Sequence, residues 1–255
     1  MRPSTSFPAI GTDERVPNRI VLQAYKAINR VRKRVTYTNT PGYSPPKPRD
    51  PPGTGGTIAL DIETINLVPE PDLDFQTPEH WTVFCVPLGH RPTGATDIET
   101  EVLFRRGASA CDELDLILRV VEWILARDPD ELVTFNGRSY DVPILRHRAG
   151  VTAHECPGST EVDAGLLFDQ LPHVDLFESV KQIEERNVPL DEALDDHGIE
   201  TQDVLLDDEP VTGADMPDLG MRILSDEGTP EEYQAVKQYA RSDVEPLFEL
   251  LDSLH

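Results

Sequence analysis

The chain has 255 residues, 38% of them hydrophobic, which suits one large domain with a buried core and argues against global disorder. No run approaches the roughly 18 apolar residues of a membrane helix, and the opening MRPSTSFPAIGTDERVPNR lacks the apolar centre of a secretory signal. Forty-seven acidic residues against 23 basic ones give a formal charge of −24. The acids are spread over everything after residue 57 and only five basic residues are Lys, the composition expected of a halophilic protein with a solvated surface. Molar salt shortens the Debye length to a few Å, so such a body need not repel a polyanionic partner. Cys85, Cys111 and Cys156 form no close pair and no Cys-x-x-Cys; their spacing predicts neither a disulfide scaffold nor a cysteine zinc site, and a cytoplasmic location.

In chain order, residues 1–50 carry ten basic and three acidic residues, leaving about −31 for the rest. Ile20, Val21, Ala24, Ile28, Val31 and Val35 recur at helical spacing among basic residues, which predicts an amphipathic basic helix over 16–35. It would dock on the acidic body, hold a nucleic-acid backbone, or engage a replication or repair protein. The region 1–40 therefore reads as a basic extension. Six prolines in PGYSPPKPRDPP mark 41–56 as a semi-rigid linker, and 57–255 as the main domain.

Within that domain TIALDIE (57–63), WTVFCVPL (81–88) and EVLFRR (101–106) read as strands joined by turn-rich segments. A helix follows over 112–128, then a strand over 131–135, a helix over 139–150 closed by Gly150, and a strand over 173–177. Helices are expected at 178–186 and 190–197. The last helix starts at Thr229, where Thr229 and Glu232 form a capping box with Pro230 in first position. Pro246 should kink or break it. The order predicts an α/β fold with a mixed five-stranded sheet, three antiparallel strands followed by parallel ones, flanked by helices.

Three segments carry chemistry. Asp61 and Glu63 end the first strand, and period-2 geometry places both carboxylates on one face, where hard oxygen ligands suit a divalent cation. The triplet Asp-x-Glu occurs four times; Asp61 follows the apolar lead-in Thr57-Ile58-Ala59-Leu60, whereas the triplet at Asp97 follows Pro-Thr-Gly-Ala-Thr and reads as an exposed turn. Asn136-Gly137-Arg138-Ser139-Tyr140-Asp141 follows another apolar strand and puts Asp141 in the first turn of a helix. Tyr239 and Asp243 stand four apart on the last helix, one turn from each other on one face. Taken alone, each segment is also compatible with a structural or solvated role, and His147, His173 and His197 read as structural or surface residues.

The ordered set D-x-E, N-x-x-x-Y-D and Y-x-x-x-D resembles the three motifs of the DEDD 3′–5′ exonucleases of the ribonuclease H-like superfamily. Within that group it is most similar to the exonuclease domain of family B DNA polymerases and to YprB-type relatives. Gln238 stands where the histidine subclass would carry His, so the tyrosine subclass (DEDDy) is indicated. The resemblance covers about residues 57–252, including GADMPDL (213–219). It implies a ribonuclease H-like fold and a site in which Asp61, Glu63, Asp141 and Asp243 hold two Mg²⁺ or Mn²⁺ ions while Tyr239 orients the attacking water. It further implies substrate contacts from Thr64, Leu67, Asn136 and Tyr140, with Leu67 wedged against a terminal base. The substrate would be the 3′ end of single-stranded DNA or RNA. A non-catalytic binding module and a structure-specific endonuclease are the alternatives.

Overall fold

The computed structural model describes residues 55–156, 168 and 170–254. The predicted helix over 16–35, residues 41–54 of the linker, and two carboxylates that the motifs left unplaced, Asp163 and Asp169, lie outside the described residues. TIAL forms β1 (Thr57–Leu60), buried at every position, as a strand covered on both faces must be. Strands β2 (Glu63–Asn66), β3 (Trp81–Arg91), β4 (Glu99–Phe104), β5 (Glu131–Thr134) and β6 (His173–Asp175) complete the main sheet. β3 pairs antiparallel with β1 and β2 on one edge and with β4 on the other, while β5 runs parallel to β1 and β6 parallel to β5. The mixed sheet expected from the sequence is the one found.

The predicted strand 57–63 is divided. Leu60 pairs with Leu88 and Glu63 with Cys85, so β1 and β2 follow one line along β3, yet Asp61 and Ile62 fall between them. The next step pairs Thr64 with Val83, passing over Phe84. Such irregularities re-aim side chains and gather beside functional sites. Counting β1 and β2 as one line gives the five positions β4, β3, β1/β2, β5, β6.

Helices α1 (Ala110–Leu125) and α2 (Asp141–Glu155) cover the face to which Ile58, Leu60 and Leu132 point. Their neighbours Ala59 and Val133 point the other way, into a second cluster with α3 (Leu176–Glu184), α4 (Leu190–Asp196) and α7 (Leu247–Ser253). Gly89 on β3 makes that packing possible, since a Cβ there would stand 2.7 Å from the Phe248 ring. A third cluster joins Phe84, Val102 and Phe104 to α5 (Met216–Leu224) and α6 (Pro230–Ser242). α5 carries much of the GADMPDL stretch.

Three boundaries differ from the sequence expectation and a fourth agrees with it. α1 starts earlier, where Ser109 and Asp112 form a capping box. Gly150 does not close α2, which runs on to Glu155 because Thr152 and Ala153 are buried; that packing outweighs a glycine penalty of about 1 kcal/mol. The strand over 173–177 stops at Asp175, whose carboxylate accepts from Phe177 N–H and opens α3. The terminal helix breaks as expected, α6 ending at Ser242 and α7 beginning after Pro246.

The cysteine reading is overturned. Cys111 at the start of α1 and Cys156 after the end of α2 form a disulfide across a sequence separation of 45, with Cα atoms 5.0 Å apart. Sequence spacing tests only for close pairs, whereas antiparallel packing of two helices brings distant termini together. A loop of this length is worth about 4 kcal/mol in the chain-entropy account, and the cytoplasmic expectation loses the cysteine argument on which it rested. Among the described residues no helix is long and apolar enough to cross a membrane.

Candidate active site

Asp61, Glu63 and Asp243 converge where β1 gives way to β2. Each offers a carboxylate oxygen, and these oxygens lie within 4.8 Å of one another. Asp61 and Glu63 continue the alternate series of Thr57 and Ala59, so they face the side on which α6 and α7 meet. Asp243 is the residue immediately after α6. A carboxylate there sits at the negative pole of the helix dipole, unfavourable unless a cation compensates. The break at Pro246 leaves Asp243 inside the cluster.

Asp141 arrives from the opposite face as the first residue of α2 and is 2% exposed. Its approach depends on Gly137, where a Cβ would come within 2.5 Å of the Thr134 side chain and 2.7 Å of Asp141 Oδ2. The preceding Asn136 takes a left-handed φ of 64°. Asp175 holds this turn. Its buried carboxylate accepts from the backbone N–H of Asn136 at 2.7 Å and of Arg138 at 2.9 Å. The three sequence motifs do not include Asp175; its signal is an acidic residue at the end of a parallel strand neighbouring the one that carries the motif.

Burial raises all four carboxylates, and the charge of Asp61 adds to the rise of each of the other three. Burial pushes Asp61 up from 3.8 to about 7, against a backbone hydrogen bond from Ile62. Glu63 stands well above the usual range through burial and then the charges of Asp61, Asp243 and Asp141. Burial followed by Asp61 does the same to Asp141 and to Asp243. Among the described residues Glu63 Oε1 and Asp141 Oδ1 are buried with no hydrogen-bond partner, a costly arrangement for a polar atom unless something else ligates it. Hard, crowded, unpartnered oxygens fit Mg²⁺ or Mn²⁺.

Tyr239, one turn before Asp243, lines a cleft of about 450 Å³ with Ser242, Asp243, Asp191, Gln202 and Thr212. Burial, then the charges of Asp243, Glu63 and Asp61, push its phenol further up, so it stays protonated. The remaining expected residues divide. Leu67 is 53% exposed just beyond β2. Thr64 is buried, and its hydroxyl is shared with the Tyr140 hydroxyl at 2.9 Å. Tyr140 is half-buried beside Asp141, and Asn136 is half-buried in the turn.

The family described as the RNase_H superfamily matches residues 99–255, a span that takes in Asp141, Tyr239 and Asp243 and begins after Asp61 and Glu63. No curated protein matches the chain.

Proposed function

The chain belongs to the RNase_H superfamily, and we propose that within this superfamily of nucleases it is a divalent-metal-dependent 3′–5′ exonuclease of the DEDDy kind, acting on single-stranded nucleic acid. One observation carries the reading: the carboxylates of Asp61, Glu63 and Asp243 converge, Asp141 lies near enough to feel the charge of Asp61, and buried oxygens of Glu63 and Asp141 have no hydrogen-bond partner among the described residues. Asp61, Glu63, Asp141 and Asp243 would hold two Mg²⁺ or Mn²⁺ ions, which supply an activated water and neutralise charge on the leaving oxygen.

The chain's own groups do the positioning. The charge of Asp61 raises each of the other three carboxylates, the central position that a ligand shared between two ions would hold. Tyr239 keeps its proton and donates a hydrogen bond that orients the attacking water. Asp175 fixes the turn that presents Asn136 and Asp141. Leu67 protrudes beyond the strand that carries Glu63, placed to wedge against a terminal base.

The test incubates the protein in molar KCl with 5′-labelled single-stranded DNA or RNA, with Mn²⁺ or with chelator, beside Asp61→Ala. The expected result is a metal-dependent ladder shortening from the 3′ end, slowed about 10²- to 10³-fold in the variant, the scale on which one lost transition-state charge contact registers. Cutting of a circular single strand would make the protein an endonuclease, and intact substrate throughout would make it a binding module.

A further inference from the structure

The loop between β2 and β3 exposes a large aromatic surface that the carboxylate site does not use. Phe75 is 64% exposed. Its ring centroid lies 5.1 Å from that of the buried Trp81 and 6.4 Å from that of Tyr140, while Trp81 meets Tyr140 edge-on at 5.6 Å. Phe75 thus caps a packed aromatic stack and shows solvent its outer surface.

The loop holding it is built rather than loose. Leu67 N–H donates to His80 C=O at 2.7 Å, closing its base. The Asp74 carboxylate accepts from Gln76 N–H and from the Thr77 hydroxyl, both at 2.9 Å, and Asp74 N–H donates to His80 Nδ1 at 3.0 Å. An exposed ring on a preorganised loop binds a flat partner at little further entropic cost.

We infer that Phe75, backed by Trp81 and Tyr140, is a stacking platform for an unpaired nucleobase of the strand whose phosphate is cut at the carboxylate cluster. The inference rests on the proposed nucleic-acid substrate. Continuity selects the occupant: Tyr140 shares its hydroxyl hydrogen bond with Thr64, and these two residues precede Asp141 and follow Glu63 directly. The chemistry agrees. Every base has a π-face, so stacking tolerates any sequence. The exposed carboxylates Glu70, Asp72, Asp74 and Glu79 on the same loop repel phosphates, leaving the base face as the part of a polynucleotide that can settle there. A paired base has no free face to offer, so the platform selects single strands.

The experiment uses the full chain in molar KCl with Ca²⁺, and a single-stranded DNA carrying 2-aminopurine near its 3′ end. Stacking quenches the probe. The wild type should quench it, Phe75→Trp should retain the effect, and Phe75→Ala should lose it with binding weakened about 5- to 100-fold, the equivalent of one lost base stack. A strand with abasic positions near its 3′ end should bind the wild type as weakly as the normal strand binds Phe75→Ala, and the two losses should not add. Equal quenching by wild type and Phe75→Ala, or additive losses, would overturn the inference. So would absence of quenching by the full chain. Phe75-dependent quenching without any 3′ ladder would leave the platform standing and remove the exonuclease reading; a ladder indifferent to Phe75 would do the reverse.

Discussion

Glu113 and Glu63 are both buried glutamates, one packed on either face of the same sheet, and their surroundings are opposites. Glu113 is 0% exposed and fully served by the chain. Arg148 donates to it through Nε and a terminal nitrogen at 2.8 and 2.7 Å, Arg105 at 3.3 Å, the Thr82 hydroxyl at 2.8 Å and Val83 N–H at 2.9 Å. Glu63 has Asp61, Asp141 and Asp243 around it and an oxygen with no partner among the described residues. A buried acid that brings its own cations is part of the scaffold. One surrounded by further acids asks for a cation from outside.

Neutralising the two glutamates sharpens that contrast most. Glu113→Gln leaves Arg105 and Arg148 buried without their counter-charge and should destabilise the protein by about 3–5 kcal/mol, read as a lower midpoint in denaturant with or without divalent cation. Glu63→Gln removes repulsion, so the same titration in chelator should show an equal or higher midpoint. A large loss of stability in metal-free Glu63→Gln would make the cluster a structural network like that of Glu113.

The pH dependence of stability separates the two sites next. The cluster's carboxylates have raised pKa values in the folded chain, so between about pH 4 and 7 the native state binds more protons than the unfolded state. Stability in chelator therefore falls as pH rises through that window. The lower edge is the ordinary aspartate range, and the upper edge is the value near 7 to which Asp61 is pushed. Mn²⁺ should flatten the fall, as should Asp61→Asn, and Glu113→Gln should leave its slope unchanged. A slope indifferent to both Mn²⁺ and Asp61→Asn would deny the cluster its electrostatic coupling.

The same contrast explains what could be read from the sequence. Asp61, Glu63 and Asp243 were legible because local periodicity and an apolar lead-in say which way a strand or helix points its acids, and the structure brings them together. The capping box at Thr229 and the break at Pro246 are equally local. What escaped depends on contacts far apart in the chain. Cys111 meets Cys156 only because two helices lie antiparallel on one face. Asp175 finds the Asn136 turn only because β6 lies beside β5. The interruption at Asp61 reflects pairing with β3, and α5 is anchored by burial of Met216 and Leu219. Phe75 gains its meaning from Trp81 and Tyr140, which no spacing rule connects.

The smallest expected effect tests Tyr239, the proposed catalytic residue that is not a carboxylate. Tyr239 stands among Asp243, Glu63 and Asp61, and burial with their charges holds its phenol protonated. A protonated phenol can donate one hydrogen bond and cannot accept the water's proton, so its contribution is orientation. Tyr239→Phe removes that bond while keeping the ring, and a hydrogen bond among charged groups is worth about 1.5–3 kcal/mol. The expected loss is about 10- to 100-fold in kcat with KM little changed. The pH–rate profile should keep its shape up to about pH 10, the ordinary phenol value. A variant that lost a limb of the profile below that pH would show Tyr239 acting as a base, and the carboxylate cluster would then not be what sets its protonation.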